Sequence, residues 1–519
     1  MPRRDVPTRP VLGDIIAGLS VGVVLIPQAI AYASLAGLPP ITGLMAALAA
    51  PLAAAFFASS PYLATGPVAI TSLLALGALT GLADAGTPTY VALAALLALF
   101  VGVVRLGLGL GRGGVLAYLM SQPVLVAFTS AAALLILFSQ VPAAVGVPSD
   151  SNRPGQAAFD ALLDPGAWEP SAVLFSVVTV AAMLVVRRLP ATFPIVPLLV
   201  ATAVVVSATT GLGGPTVGAV DVGVVPNPLD LPWSSSLSLV LPAIVIALVG
   251  FAEPAAISRR LAAEDRQKWS ADRELVSQGV ANLAAGMAGG YPVGGSFSRS
   301  TLNRLAGARI RWSGLVSGLI VLAFLPFAAV LQDLPRSVLA GIVVAAVVRL
   351  TDPRPMLRIW RLGRIQFATA AVTFVASLVL APRLDIAIVI GVGFSAGVHL
   401  WRELHLQVPG DFADGVLNVR PSGVMYFASA PGLEEAVNTL LATHPDTVRM
   451  RVHLDGLGRL DVTGAMVLKS VLAEVRDADI VAEVCSVPPQ LRRVVRRVLS
   501  DDLAEECRAQ LAGADVPDS

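Results

Sequence analysis

The sequence predicts a polytopic α-helical membrane protein that ends in a small soluble α/β domain. Of its 519 residues, 55% are hydrophobic and only 14% are charged, whereas soluble domains carry about 25% charged residues. Many apolar runs reach the ~20 residues that a membrane-spanning helix needs. These runs end near residue 400, and the remainder has a soluble composition. We therefore expect a transmembrane domain over residues 1–403 and a cytoplasmic domain over residues 408–519.

The apolar runs predict most of the spanning segments. They lie near residues 13–35, 41–58, 88–104, 115–140, 171–186, 194–211, 237–257, 312–331, 336–350, 366–381 and 384–401. Two further stretches, 61–83 and 275–303, are harder to interpret because proline and glycine interrupt them.

Basic residues set the direction of each crossing, because cytoplasmic loops carry an excess of arginine and lysine. We place the amino terminus in the cytoplasm and count one crossing at 61–83. Arg105, Arg112, Arg187 and Arg188 then all lie on the cytoplasmic side.

The stretch 275–303 must cross the membrane twice if the later arginines are also to lie in the cytoplasm. About 29 residues are too few for two helices of ~20 residues each. Extended backbone spans more than twice the distance per residue of a helix. We therefore expect a short helix over 275–290, extended chain over 291–295, and a half-helix that begins near Ser296.

A matching stretch lies in the first half of the chain. Residues 62–72 align with residues 291–301, since each has a tyrosine, a short extended run, a glycine and then a helix start. Pro67 suits the first helical position. Seven crossings fall in each half. This pattern predicts fourteen spans in a seven-plus-seven inverted repeat, over about 12–211 and 237–402, with two broken helices.

Arg299 stands at the predicted start of the second half-helix, near the membrane midplane. A charge at that depth is costly, and a cation at a helix amino terminus opposes the helix dipole. An anion held between Arg299 and two facing helix starts would offset both penalties. The alternative is an arginine at the cytoplasmic flank, or one that snorkels. The predicted lining residues at the helix starts are Pro67, Val68, Ala69, Phe297 and Ser298.

Two more polar residues lie in apolar spans. Glu253 could carry a coupling proton, or ligate sodium together with hydroxyl groups; alternatively it pairs with Arg259 or Arg260 near the inner end of its span. We predict the proton. Gln28 would line the site, or else hydrogen-bond to a neighbouring helix.

The sequence gives no reason to expect catalysis. It has no arrangement of a nucleophile beside a base, and His405, His444 and His453 have no metal-ligand spacing. We therefore predict that the protein is not an enzyme, and that it uses no cofactor, metal or nucleic-acid partner.

The tail alternates short apolar runs with amphipathic segments, which is typical of a small α/β domain. The predicted strands are 416–419, 424–427 and 450–454, and the predicted helices are 432–442, 464–476 and 489–500.

Three motifs resemble the sulfate permease (SulP) family of anion transporters. The first runs from Leu25 to Pro40 and reads LIPQAIAYASLAGLPP. The second runs from Asp272 to Ser300 and includes DRELVSQGVAN and FSRS. The third, LDGLGRLDVTGA, begins at Leu454 and is similar to the core of the STAS domain that ends many members.

This resemblance implies a core domain that moves against a gate domain, homodimers, and an anion bound between spans 3 and 10. Family members carry bicarbonate, sulfate, chloride or dicarboxylates. Glu253 falls where bicarbonate-type members use an aspartate for sodium, and this difference favours a proton. Thr463 lies near the position of a phosphorylatable serine in related regulators, although a plain structural loop is the favoured interpretation. The tail could bind a regulatory protein.

The function predicted is secondary active transport of a small anion of the dicarboxylate, bicarbonate or sulfate class, by proton symport and alternating access. We expect a multi-pass protein of the inner membrane with both termini in the cytoplasm. The alternatives are a sodium-coupled bicarbonate symporter, an anion exchanger or channel, a nucleobase carrier, and a membrane sensor with a regulatory STAS tail.

Overall fold

The structure, a computed structural model, describes residues 11–118, 121–148, 151, 153–186, 193–220, 230–505 and 507. Arg187 and Arg188, which we expect on the cytoplasmic side, lie outside the described residues. The chain divides into two compact units between Phe394 and Ser395.

The first unit is helical, with one pair of very short strands. Its elements are α1 (Leu12–Leu35), α2 (Pro40–Phe57), β1 (Ala64–Gly66), α3 (Ala69–Leu79), α4 (Pro88–Leu110), α5 (Gln122–Val145), α6 (Pro154–Leu163), α7 (Pro170–Val185), α8 (Ile195–Thr210), α9 (Ser236–Glu264), α10 (Ala271–Met287), β2 (Gly294–Ser296), α11 (Phe297–Leu305), α12 (Trp312–Phe324), α13 (Arg336–Val347), α14 (Arg354–Leu362), α15 (Arg364–Val379) and α16 (Leu384–Leu404), which continues past the division.

Seven of the helices in the described ranges are long and apolar enough to cross a membrane: α1, α2, α4, α5, α9, α12 with the 3-10 turns that follow it, and α16. Helices α3, α7, α8 and α15 are shorter but also apolar. The membrane protein that the composition predicts is therefore present as a bundle of apolar helices around one large core and two smaller apolar clusters.

Proline and small residues explain where these helices start and how closely they pack. Pro40, Pro88 and Pro170 lie in the first turns of α2, α4 and α7, where the missing N–H would be unpaired in any case. Gly43 of α2 faces α1, and an added Cβ there would lie 2.2 Å from the carbonyl oxygen of Ala29. Helices α1 and α2 therefore touch through backbone atoms, as small residues allow in membrane bundles.

Several elements differ from those that the sequence predicts. The span expected at 115–140 is a 3-10 turn, Gly113–Tyr118, followed by α5. The sequence pattern does not predict α6 and α14, which have only 10 and 9 residues. Pro67 is not the first helical residue: Val68 is extended (φ −142°, ψ 151°), so α3 begins at Ala69.

The strands β1 and β2 bring the two predicted half-helices together. They pair antiparallel, with Ala64 opposite Ser296, Thr65 opposite Gly295, and Gly66 opposite Gly294. Each strand leads into a short helix, β1 into α3 and β2 into α11. The starts of these two helices therefore lie on either side of one small ladder.

The second unit is an α/β domain with its own apolar core. Its elements are β3 (Gly410–Ala413), β4 (Val416–Val419), β5 (Gly423–Met425), α17 (Pro431–Thr443), β6 (Arg449–His453), β7 (Leu457–Leu460), α18 (Val462–Asp477), β8 (Val481–Cys485) and α19 (Arg492–Val498). One sheet has the order β3-β4-β6-β8, with β3 antiparallel to β4 and the other pairs parallel. Strands β5 and β7 form a second, parallel pair. The sequence pattern misses β3, β7 and β8, each four or five residues long.

Candidate functional site

Arg299 lies in the first turn of α11, and its side chain is only 1% exposed. Ser296 caps this helix, since its hydroxyl accepts the Arg299 backbone N–H at 3.5 Å. The arginine is therefore enclosed by protein at the ladder of β1 and β2, and it does not lie on an exposed flank.

The guanidinium of Arg299 joins three parts of the first unit. Nη1 donates to Oε1 of Gln28 on α1 at 2.9 Å, and Nη2 donates to the carbonyl oxygen of Pro67 at 2.8 Å. Among the residues that the structure describes, its Nε has no protein partner. Since a guanidinium has five N–H donors, these two bonds fix its position and leave further donors for an anion.

The two helix starts beside Arg299 differ in how they are capped. No side chain caps α3, whose N-cap residue is Val68, so the first N–H groups of α3 remain free for an anion. At α11, Phe297 and Ser298 are exposed, with Phe297 at 46%. The hydroxyl of Ser298 lies 3.3 Å from that of Ser296.

Glu253 lies in the middle of α9, directly before Pro254, and is half-buried. Helix α9 packs against β2 and α11, and the Glu253 carboxyl interacts electrostatically with the backbone N–H of Phe297 and the charge of Arg299. Arg260, one of the partners considered from sequence, instead pairs with Glu264 at 2.9 Å. The structure thus brings Glu253 to the start of α11, together with the other predicted site residues.

Arg105, which the charge pattern places on the cytoplasmic side, is enclosed by protein. Its side chain is fully buried. It donates to the carbonyl oxygens of Ile246 and Ala247 on α9, at 3.1 Å each, and to that of Val293 at 2.8 Å. Arg105 therefore holds the extended chain before β2 against α9. The charge pattern alone does not reveal this role, because the three carbonyl partners come from distant parts of the chain.

Polar side chains of α10 hold the same extended chain from the other side. Asn282 binds both backbone groups of Val293: its amide oxygen accepts the N–H at 2.9 Å, and its amide nitrogen donates to the carbonyl at 3.2 Å. Gln278, one turn earlier, donates to the hydroxyl of Thr65 in β1 at 2.7 Å. Both residues belong to the second motif, and their spacing on one helix face is the signal that could have identified them.

Hydroxyl groups link the short helices α3 and α11 each to the opposite half of the chain. Ser300 of α11 accepts the Ala64 backbone N–H at 2.9 Å. The Ser72 hydroxyl of α3 lies 3.2 Å from the Tyr291 hydroxyl. These contacts cross from one predicted repeat to the other, so α3 and α11 form one connected cluster.

A cavity of about 440 Å³ lies elsewhere in the first unit, against the ends of α2 and α4 and the start of α10. Its lining residues are Phe56, Phe57, Gly109, Leu110, Arg112, Ser270, Asp272, Arg273 and Val276. None of the predicted site residues lines it. The anion site is therefore inferred from the helix starts and their buried charges.

In the second unit, Asp461 has a structural role. Its carboxylate caps α18 by accepting the Gly464 N–H at 2.6 Å. Thr463 is exposed in the first turn of that helix. The Asp-Val-Thr-Gly run is thus a helix start, and modification of Thr463 stays a prediction.

The first unit is a bundle of apolar helices in which two short helices meet at a strand ladder, and a small α/β domain follows it in the chain. These features define a class of multi-pass helical membrane proteins. The solved structure of the murine SLC26A9 anion transporter in its inward-facing state has this fold. The match covers 98% of this chain and 92% of that one, with a TM-score of 0.85 at 20% sequence identity.

The chain belongs to the sulfate permease family. The family model matches residues 11–373, and the STAS domain model matches residues 409–512. The chloroplastic sulfate transporter 4.1 of Arabidopsis thaliana is 33% identical over 76% of this chain. The match spans only 60% of that protein's own length. A probable sulfate transporter of Mycobacterium tuberculosis is 29% identical over 97% of this chain and 94% of its own length.

Proposed function

We propose that this protein is a secondary active transporter that moves sulfate, or a closely related small anion, together with a proton by alternating access. The names of the relatives support sulfate among the candidate anions. The observation that carries the proposal is the buried Arg299 in the first turn of α11, beside helix α9, which carries Glu253 and packs against β2 and α11.

The proposed topology has fourteen spans, made by α1–α5, α7–α13, α15 and α16, with α3 and α11 as half-helices. Residues 1–403 would form the transport domain, and residues 408–519 the STAS domain. An even number of crossings puts both termini on the same side, which we propose is the cytoplasm because the basic residues lie there; the protein would lie in the inner membrane. By analogy with the family resemblance, we propose a homodimer whose tail binds a regulatory protein.

The anion would bind at the start of α3 and near Ser298. The uncapped N–H groups of α3 supply donors, and the Ser298 hydroxyl supplies another. Arg299 supplies the positive charge, and its bonds to Gln28 and Pro67 fix that charge beside the helix starts. Because backbone N–H groups can donate to any small anion, the charge and size of the anion would determine which substrates bind.

Coupling follows from competition between Glu253 and the anion. The ionised carboxylate would partly neutralise Arg299 and compete with the anion for the Phe297 N–H. Protonation removes that negative charge, releases the N–H and leaves Arg299 uncompensated, so the anion binds more tightly. By linkage, the bound anion favours protonation to the same degree. Proton and anion would therefore be carried together.

The test is uptake of radiolabelled sulfate into liposomes that contain the full-length protein, under an inward proton gradient, with and without sodium. We expect saturable uptake that needs the proton gradient and is unaffected by sodium. The same assay with bicarbonate, chloride, nitrate and C4-dicarboxylates as competitors ranks the substrates. Saturable uptake driven by sodium would instead support the sodium symporter, and absence of flux for every anion would support the sensor.

The variant Glu253→Gln should lose acceleration by the proton gradient and keep sulfate exchange, because glutamine resembles the protonated acid but cannot release a proton. Glu264→Gln, the same change at the exposed end of α9, is the matched control and should behave as wild type. If the proton gradient still drives uptake in Glu253→Gln, the coupling role of Glu253 is wrong.

A further inference from the structure

The short helix α14 lies between two helices of the membrane unit and carries a dense positive charge. Five arginines and one aspartate occur within residues 349–364. The helix runs from Arg354 to Leu362 and connects α13 to α15. Because both neighbours are apolar helices of the bundle, a connecting helix of 9 residues stays near the end of those helices.

The arginines and the half-buried apolar residues lie on opposite faces of α14. Arg354, Arg358 and Arg361 are spaced i, i+4 and i+7, which places them on one face of a helix. Met356 and Ile359 lie on the other face and are half-buried against the bundle. This face packs on α5 and α15.

Exposed apolar side chains flank the arginine face. Leu357, Trp360 and Leu362 are 44%, 59% and 77% exposed. The Trp360 ring lies 5.9 Å from that of Phe367 on α15, measured between ring centroids. Tryptophan is enriched at the interface between the hydrocarbon and the headgroups of a membrane.

The positive charges of this segment are largely uncompensated. Arg354 is 3.9 Å from Asp352, a distant contact between exposed groups. In the part of the chain that the structure describes, Arg358, Arg361 and Arg364 form no ion pair with a carboxylate.

We propose that α14 is an interfacial helix whose arginine face binds the headgroups of anionic phospholipids. A lipid fits both features of the surface: its phosphate matches the planar guanidinium groups, and its acyl chains cover the exposed Leu357, Trp360 and Leu362. An acidic protein segment would pair with the arginines but would leave the apolar flanks in water. The proposal goes beyond anion transport and rests only on the membrane placement of α13 and α15.

The test measures which phospholipids stay bound to the full-length protein. Purified protein is equilibrated with detergent micelles that contain equal amounts of phosphatidylcholine and phosphatidylglycerol, then repurified, and the retained lipids are quantified by mass spectrometry. A photo-activatable phosphatidylglycerol maps the contact. We expect an excess of phosphatidylglycerol that decreases as salt rises, and crosslinks within residues 354–367.

Each arginine near an anionic surface strengthens binding about fivefold. The triple variant R354Q/R358Q/R361Q should therefore lose most of the phosphatidylglycerol excess, the triple lysine variant at the same positions should keep it, and R358Q alone should lose about fivefold in affinity. The matched control removes three exposed arginines of the second unit, R459Q/R493Q/R497Q, and should retain the excess.

Three outcomes would overturn the proposal: no preference for phosphatidylglycerol in the wild type, an equal loss in the control triple, or crosslinks outside α14 and the start of α15. Because no sulfate is present, these results do not depend on whether the transport proposal holds.

Discussion

At the scale of single residues, Arg299 has the central place because its charge is buried and its bonds are directional. Its guanidinium is held by the amide oxygen of Gln28 and the carbonyl of Pro67. A hydrogen bond to a charged group contributes about 1.5–3 kcal/mol, and a buried acceptor left unpaired costs about 1–3 kcal/mol. The position of the charge therefore depends on both partners.

Replacing Arg299 by alanine should abolish measurable sulfate binding. The change removes the positive charge beside Glu253 and leaves the Gln28 and Pro67 oxygens unpaired. We expect a loss of at least 100-fold in affinity, measured by isothermal titration calorimetry on purified protein. Arg304→Ala, which removes a half-exposed arginine paired with Glu264 and Asp265, is the control. Unchanged affinity in Arg299→Ala would exclude the role proposed for it.

Gln28→Leu tests whether the orientation of the guanidinium matters as well as its charge. The charge stays, but its α1 acceptor is lost, so we expect sulfate affinity to fall about 10- to 100-fold, which corresponds to about 1.5–3 kcal/mol. Gln140→Leu is the matched control, because Gln140 is also buried but its amide nitrogen donates to the hydroxyl of the adjacent Ser139 at 3.0 Å. Equal effects of the two substitutions would indicate a general packing defect.

Residue-level prediction from sequence works where a charge stands beside helix-breaking residues. Arg299 follows Gly294, Gly295 and Ser296, and this context points to a helix start. Arg105 ends an apolar run and resembles a flank arginine, because the three carbonyl oxygens that hold it come from distant parts of the chain. No local pattern encodes those contacts.

At the scale of elements, the extended chain before β2 is the piece that must be held in place. It is neither helix nor a full strand, so its backbone groups need partners from elsewhere. Arg105 and Asn282 supply them at Val293. Membrane proteins tolerate such irregular backbone only when it is buried in protein or lines a cavity.

Arg105→Gln should lower the thermal stability of the protein in detergent and weaken sulfate binding indirectly. The shorter side chain cannot reach all three carbonyl oxygens, and a buried unpaired carbonyl costs about 1–3 kcal/mol. We expect the apparent unfolding midpoint to fall by several degrees, measured by differential scanning fluorimetry. Arg112→Gln, at an exposed position just beyond α4, should leave the midpoint unchanged. A wild-type midpoint in Arg105→Gln would show that the extended chain does not need this anchor.

Element boundaries were predictable where proline, glycine or a capping serine marks them. The start of α11 lies within one residue of the predicted position. The prediction succeeds because serine is a favoured residue at the N-cap of a helix. The start of α3 was predicted too early, at Pro67. This residue precedes the helix, and its carbonyl oxygen accepts a hydrogen bond from Arg299. Helix α14 is amphipathic rather than apolar, so a search for apolar runs misses it.

At the scale of the whole molecule, the two units have separate apolar cores. Composition alone predicts this division, because the charge density changes abruptly near residue 400. The order of strands in the second unit was not predictable from sequence. Parallel neighbours such as β4 and β6 are joined by a crossover that contains a helix. Strands this short also leave only a weak sequence pattern. A separate core implies that the tail can fold without the membrane unit.

The fragment 405–519 should unfold cooperatively and lose stability as the pH falls. Burial, followed by the charge of Arg420, lowers the pKa of His453 below its usual 6.5. The imidazole contacts Ser486 at 2.9 Å and Asn418 at 3.1 Å. Below pH 6.5 the unfolded chain binds a proton that the folded domain resists, so stability decreases until the pH passes the folded pKa.

His453→Gln should remove this part of the pH dependence, because glutamine can contact both neighbours without titrating. The measurement is urea unfolding of the fragment at pH 7.5 and pH 5.5, followed by circular dichroism. The loss of stability between the two pH values should be smaller in His453→Gln than in the wild type. His444→Gln, which replaces the imidazole stacked on Phe412, is the control for removing a histidine. If His453→Gln loses as much stability as the wild type, the pH response of the domain arises elsewhere.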